Sequence, residues 1–130
     1  MPIQGTAADQ NAISTQLLPE SLPVVFNDPK FATRRTNEFD PYVRYFAINV
    51  KKVPNVKQRM AIAAALDREA LRTNAGGAYA GDYADGVIKP NMGQDYAPTQ
   101  MWDGLLGETI PPTGNVEYAK KLITESGAAM

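Results

Sequence analysis

The side chains best suited to hold a small molecule crowd into residues 78–98. Tyr79, Tyr83 and Tyr96 offer flat amphipathic surface there, and Asp82, Asp85 and Asp95 offer acceptors for an ammonium group. Tyr79, Tyr83, Asp82 and Asp85 are taken as the candidate ligand-binding residues. Two carboxylates at a set separation are also what glycoside hydrolysis needs, but an irregular segment holds no separation constant. In a plain connecting loop the same tyrosines would pack back on the core and the aspartates would stay hydrated. Arg59, Asp67 and Arg68 could be taken as a catalytic charge group; at the two ends of an apolar helix they read as caps and ion-pair partners instead. Tyr45 and Asn49 read as packing and turn-capping residues, and Trp102 with Met101 and Leu105 as a satellite hydrophobic cluster.

What the chain lacks narrows the chemistry further. It has no cysteine and no histidine, which removes disulfides, thiolates, imidazole bases and the usual zinc ligands together. No catalytic residue, metal site or cofactor is expected, and the role expected is not enzymatic. With 13 basic and 14 acidic residues the formal charge is −1, so no global field draws nucleic acid or an anionic membrane surface. Lys51-Lys52 and Arg34-Arg35 are too small to be nucleic-acid footprints. The longest apolar stretch, residues 60–66, is far short of the roughly 20 residues of a membrane helix, and residues 1–4 do not read as a signal peptide.

The elements that must position the candidates follow from local signals. At 130 residues and 44% hydrophobic, one core is the default. Residues 1–12 read as loop. A short helix is expected over 22–28, ended by Asp28-Pro29, with a further turn at 29–34. Residues 36–50 are β-like, with a break at Asp40-Pro41; Tyr45 and Phe46 fall on opposite faces, which predicts a strand inside a sheet covered on both sides. Asn55 is placed to cap a helix from Val56 whose residues 60–66 are apolar all round and mostly buried. Its alanines allow close approach to a sheet or another helix. Asp67 begins a short helix to about Asn74, stopped by Gly76-Gly77. The segment 76–98, with five glycines and two prolines, is a long irregular connection. Asn115 caps a last helix that buries Val116, Ala119, Leu122 and Ile123 and stops at Gly127, with Glu117 and Lys121 paired on its wet side.

Several of these segments carry a resemblance. Tyr45-Phe46-Ala47-Ile48-Asn49, a Pro54-containing turn, and Arg59, Ala61, Ile62, Ala65, Leu66, Asp67 and Arg68 in register resemble the extracellular solute-binding proteins of peptide-type ABC importers. In that family a strand ending in aromatic-x-x-Asn precedes a helix of the form Val-Arg-Gln-Ala-Leu-x-x-Ala-Ile-Asp-Arg, and Met60 here stands where the family often has Gln. Gly76-Gly77 and residues 86–90 are similar to the family's glycine pair and Gly-x-x-Pro-Pro loop, with Lys89 in place of the first proline. Residues 117–127 resemble its Ala-Lys-x-Leu-Leu-x-x-x-Gly helix.

The resemblance implies an α/β fold: part of one lobe, the second, of a two-lobed periplasmic-binding-protein-like molecule, with a sheet covered by helices. The whole chain would be a single fragment of that lobe, and Met1 an added start, since Gly5 to Asp9 is similar to an interior stretch of the family. It further implies a non-catalytic, ligand-capturing substrate-binding component of an ABC importer. Its partners would be a peptide or similar small solute, a membrane permease and the remaining lobe, with no nucleic acid. It would sit outside the cell, as a periplasmic protein or cell-surface lipoprotein. The alternative is a ligand-sensing module of the same fold in a transcriptional regulator.

Overall fold

In the computed structural model, residues 17–38 and 42–127 are described. Its helices are α1 (Leu22–Asn27), α2 (Val56–Ala65), α3 (Arg68–Asn74) and α4 (Val116–Glu125), joined by irregular chain and by short 3₁₀ turns at Pro19–Ser21, Pro29–Arg34, Gly77–Tyr79 and Pro90–Asp95. The described residues divide into two compact units, one of residues 17–38 and 72–82, the other of residues 42–71 and 83–127. The expectations for residues 1–12 and for the Asp40-Pro41 break lie outside the described residues.

In the first unit, α1 starts with Pro23 in its first turn, where a missing N–H costs nothing, and it ends before Pro29. Asp28 accepts from the Lys30 N–H at 3.0 Å and so caps the Pro29–Arg34 turn. Tyr79 stacks on Phe26 with ring centres 5.4 Å apart, and its hydroxyl donates to Asn27 Oδ1 at 2.7 Å. Arg35 lies over the same Phe26 ring, 5.5 Å from its centre, and donates to the Val25 carbonyl.

The second unit holds all the buried hydrophobic residues found among the described ones: Ala61, Ala64, Leu106, Ile110, Ala119 and Leu122. Here α2 and α4 pack together, and their end contacts make them antiparallel. The Asn115 N–H donates to the Ala64 carbonyl at 2.6 Å, while Asn55 Nδ2 donates to the Ser126 carbonyl at 3.2 Å and Lys57 pairs with Glu125 at 2.8 Å. Each asparagine also caps its own helix, Asn55 accepting from Lys57 N and Asn115 from Tyr118 N. The alanine stripe permits the approach, but only one side of α2 is covered: Ala61 and Ala64 are buried, whereas Ile62 and Ala65 are exposed. On α4 the partner of Glu117 is Lys120, at 2.8 Å, rather than Lys121.

The expected α/β lobe is not what forms. Among the described residues there is no strand and no sheet, only an isolated antiparallel bridge between Asp103 and Thr109; the architecture is helical. Residues 42–50 are irregular, and of the apolar side chains expected on two covered faces Tyr45 and Phe46 are each 72% exposed and Val50 59%, while Val43 and Ile48 are half-buried. The reason lies in what β-propensity measures, a side chain's fit to a pleated, half-buried surface. Alternation gives a segment two faces but not a neighbouring strand to take its N–H and C=O groups. What survives is the turn after it, where Asn49 Oδ1 accepts from the N–H groups of Lys51 at 3.0 Å and Lys52 at 3.2 Å.

Candidate functional site

The second unit carries a hollow of about 260 Å³ whose wall includes Arg68, Tyr83, Asp85, Trp102, Asp103 and Ile110. Arg68 is fixed from its backbone outward. Asp67 caps α3 by accepting from Ala70 N at 2.8 Å, and the Pro112 carbonyl accepts from both Arg68 N, at 2.8 Å, and Glu69 N, at 3.1 Å. These bonds satisfy the donors that a helix start leaves open. The side chain then turns onto Trp102, with the guanidinium carbon 3.8 Å from the ring centre, and Nη2 donates to the Ile110 carbonyl at 2.9 Å. Tyr83 faces the same guanidinium at 5.7 Å. Arginine over indole is the strongest of the common cation–π pairings.

Trp102 is held by the loop that it begins. Its carbonyl accepts from Ile110 N at 2.8 Å, and its indole N–H donates to the Ala84 carbonyl at 2.9 Å, tying residues 83–85 to the loop. The loop is anchored to α4 by Tyr118, whose hydroxyl donates to the Leu106 carbonyl at 2.7 Å. Gly107 is needed for that contact, since a Cβ there would sit 2.5 Å from the Tyr118 hydroxyl at a φ of 93°.

Two of the four candidate ligand residues, Tyr83 and Asp85, line the hollow. Asp85 is heavily engaged: its carboxylate accepts from Thr99 N at 2.6 Å, from Thr99 Oγ1 at 3.1 Å and from Met101 N at 3.3 Å, and its carbonyl also accepts from Thr99 Oγ1. Burial works against its ionisation, but the bonds from Thr99, Met101 and Gln100 outweigh that and hold its pKa below the ordinary carboxylate value. The other two belong to the first unit. Tyr79 is occupied by Phe26 and Asn27, and Asp82, 74% exposed, pairs with Arg72 at 3.6 Å.

Arg68 and Trp102 both line the hollow, whereas the sequence alone suggests a cap and a satellite cluster for them. The signal available was chemical type alone: a cation directly after an apolar helix, and the one tryptophan of the chain. Arg59, by contrast, keeps a structural part, donating from Nη1 to the Val53 and Pro54 carbonyls at 2.8 Å each. Burial pushes the Arg68 pKa down from its ordinary value, while the nearby Asp103 charge pulls it back up. Nε of Arg68 is buried with no hydrogen-bond partner. Among the described residues no group of three or more acidic side chains stands together to hold a metal ion. The hollow can therefore offer an arginine fork, two aromatic faces and the Asp103 carboxylate to a small ligand.

No family profile, no curated protein and no solved structure matches the chain. The resemblance to solute-binding proteins accordingly rests on the motif residues alone.

Proposed function

We propose that this chain belongs to the substrate-binding component of an ABC importer, where it helps to capture a peptide or similar small solute without covalent chemistry and hand it to a membrane permease. The observation that carries the capture is the hollow itself, where Arg68, Trp102, Tyr83 and Asp103 bring cationic, aromatic and anionic groups to one concave surface. A peptide end presents matching groups of both signs. The importer assignment is supported by the motif residues 45–49, 59–68 and 117–127. The component acts at the outer face of the membrane, periplasmic or lipid-anchored. Its remaining polypeptide supplies the cover for the exposed Tyr42, Tyr45, Phe46 and Val50.

Because Trp102 is the only tryptophan, its fluorescence reports on the hollow directly. Titrating the 130-residue chain with dipeptides and tripeptides is expected to change that signal saturably, with a Kd on the order of 1 mM, about 4 kcal/mol of binding. Micromolar binding would show that no second lobe is needed. A Trp102 signal unmoved by any peptide would remove capture at this hollow.

A further inference from the structure

Arg68 has only part of what a desolvated cation requires. Its backbone N–H, one face and Nη2 are all engaged, by Pro112, Trp102 and Ile110. No carboxylate among the described residues forms a salt bridge with it; the ion pairs there join other residues. Asp103 is felt as a charge without closing to a pair, and Asp85 on the same wall has its carboxylate taken by Thr99 and Met101. Nε is buried with no acceptor at all. Arg68 is half-buried; loss of solvent around it lowers its pKa from the ordinary value, and the Asp103 charge offsets part of that.

The same arrangement has a use. Stacking on Trp102 and the bond to Ile110 fix the guanidinium plane, so the ordering entropy of the fork is already lost before any ligand arrives. With Nε buried and one Nη2 N–H given to Ile110, the outer edge of the guanidinium, Nη1 and the second Nη2 N–H, is the part that can meet a carboxylate through two parallel N–H bonds. The hollow, at about 260 Å³, is smaller than the roughly 300–1,000 Å³ of pockets that enclose a whole drug-sized ligand, so it suits the end of a ligand.

We infer that the hollow is a carboxylate site with Arg68 as its anchor, an inference that rests on the proposed capture of a peptide-like solute and assigns which end of it is held. The bound group is the free carboxylate of a peptide or of a small carboxylic acid. Asp103, on the same wall, disfavours a second negative charge close by and favours an ammonium group.

The test uses the whole chain and Trp102 fluorescence at constant ionic strength, with dialanine, N-acetyl-dialanine, dialanine amide and propionate as probes. The two peptides with a free carboxylate are expected to bind, and the amide at least tenfold more weakly. Arg68→Lys is expected to weaken the acids several-fold and Arg68→Gln to abolish their preference over the amide, with circular dichroism checking that both variants fold. The acid-against-amide comparison in the unaltered chain stands even if a variant does not. Equal binding of acid and amide overturns the anchor while leaving peptide capture intact. Propionate binding that depends on Arg68, with no peptide binding, keeps the anchor and removes peptide capture. No response to any probe overturns both.

Discussion

Gly114 precedes the Asn115 cap at a φ of 78°, and a Cβ placed there would meet three backbone carbonyls at the end of α2, those of Leu66 at 3.0 Å, Ala65 at 3.1 Å and Ala64 at 3.2 Å. Backbone oxygens cannot rotate away as a side chain could. Gly127, at a φ of 72°, has nothing within 4 Å. The two glycines thus share a left-handed conformation and differ in crowding. Gly127→Ala is expected to cost about 1 kcal/mol, the price of that conformation alone, and Gly114→Ala clearly more, about 3 kcal/mol. Urea unfolding of the two variants measures the difference, and equal losses would show that the carbonyls are not a constraint. Asp85 gives a residue-scale prediction in pH. Its folded pKa lies below its ordinary value of 3.8, so the stability it contributes is complete above that value and is lost as pH falls through the depressed pKa. Asp28 and Glu125 are depressed in the same direction, chiefly by bonds from Lys30 and Lys57 respectively. Melting temperatures followed from about pH 5 to about pH 2 are expected to fall less steeply for Asp85→Asn than for the unaltered chain. An unchanged acid slope would mean that the Thr99 and Met101 bonds do not favour the carboxylate.

Helix limits were legible because caps are local. Asn55, Asp67 and Asn115 each accept from an N–H two or three residues ahead, and the short-range pattern in the chain is enough to place such bonds. What an element packs against is not local. The alanines of α2 suited a sheet or a helix equally, and only the meeting with α4 decides that Ala61 and Ala64 are covered while Ala65 is not. The hollow was half legible for the same reason: Tyr83 and Asp85 lie in the irregular segment that composition marks out, whereas Arg68 and Trp102 become neighbours only after α3 and the loop ending at Ile110 have folded. A pair of leucine substitutions tests the α2 surface. Ala64→Leu, at a fully buried position, is expected to destabilise by about 1–3 kcal/mol through overpacking, and Ala65→Leu, on the exposed side, to stay within about 0.5 kcal/mol. Similar effects at the two positions, in chemical denaturation, would mean that α2 and α4 do not meet along that stripe.

For the molecule as a whole, the second unit has a small core and also carries large apolar side chains left exposed, Tyr45 and Phe46 among them. Tyr45 and Phe46 are adjacent in sequence, so in a covered sheet they would point to opposite faces and both be packed. In this structure both are 72% exposed. The two situations differ in energy by enough to separate them cleanly. Removing a packed aromatic side chain costs about 3–5 kcal/mol, whereas changing an exposed one typically moves stability by less than about 0.5 kcal/mol. Tyr45→Ser and Phe46→Ser, singly and together, are therefore expected to leave the unfolding midpoint of this chain nearly unchanged and to raise its solubility, since each removes apolar area from water-facing surface. Losses of several kcal/mol at either position would place that side chain in a core and overturn the exposed placement of Tyr45 and Phe46. If the chain acts within the binding component proposed above, the same substitutions are expected to be destabilising there, because the remaining polypeptide of that component would bury these rings. The contrast between the two contexts, measured with one pair of variants, separates a surface that is open by nature from one that awaits its cover.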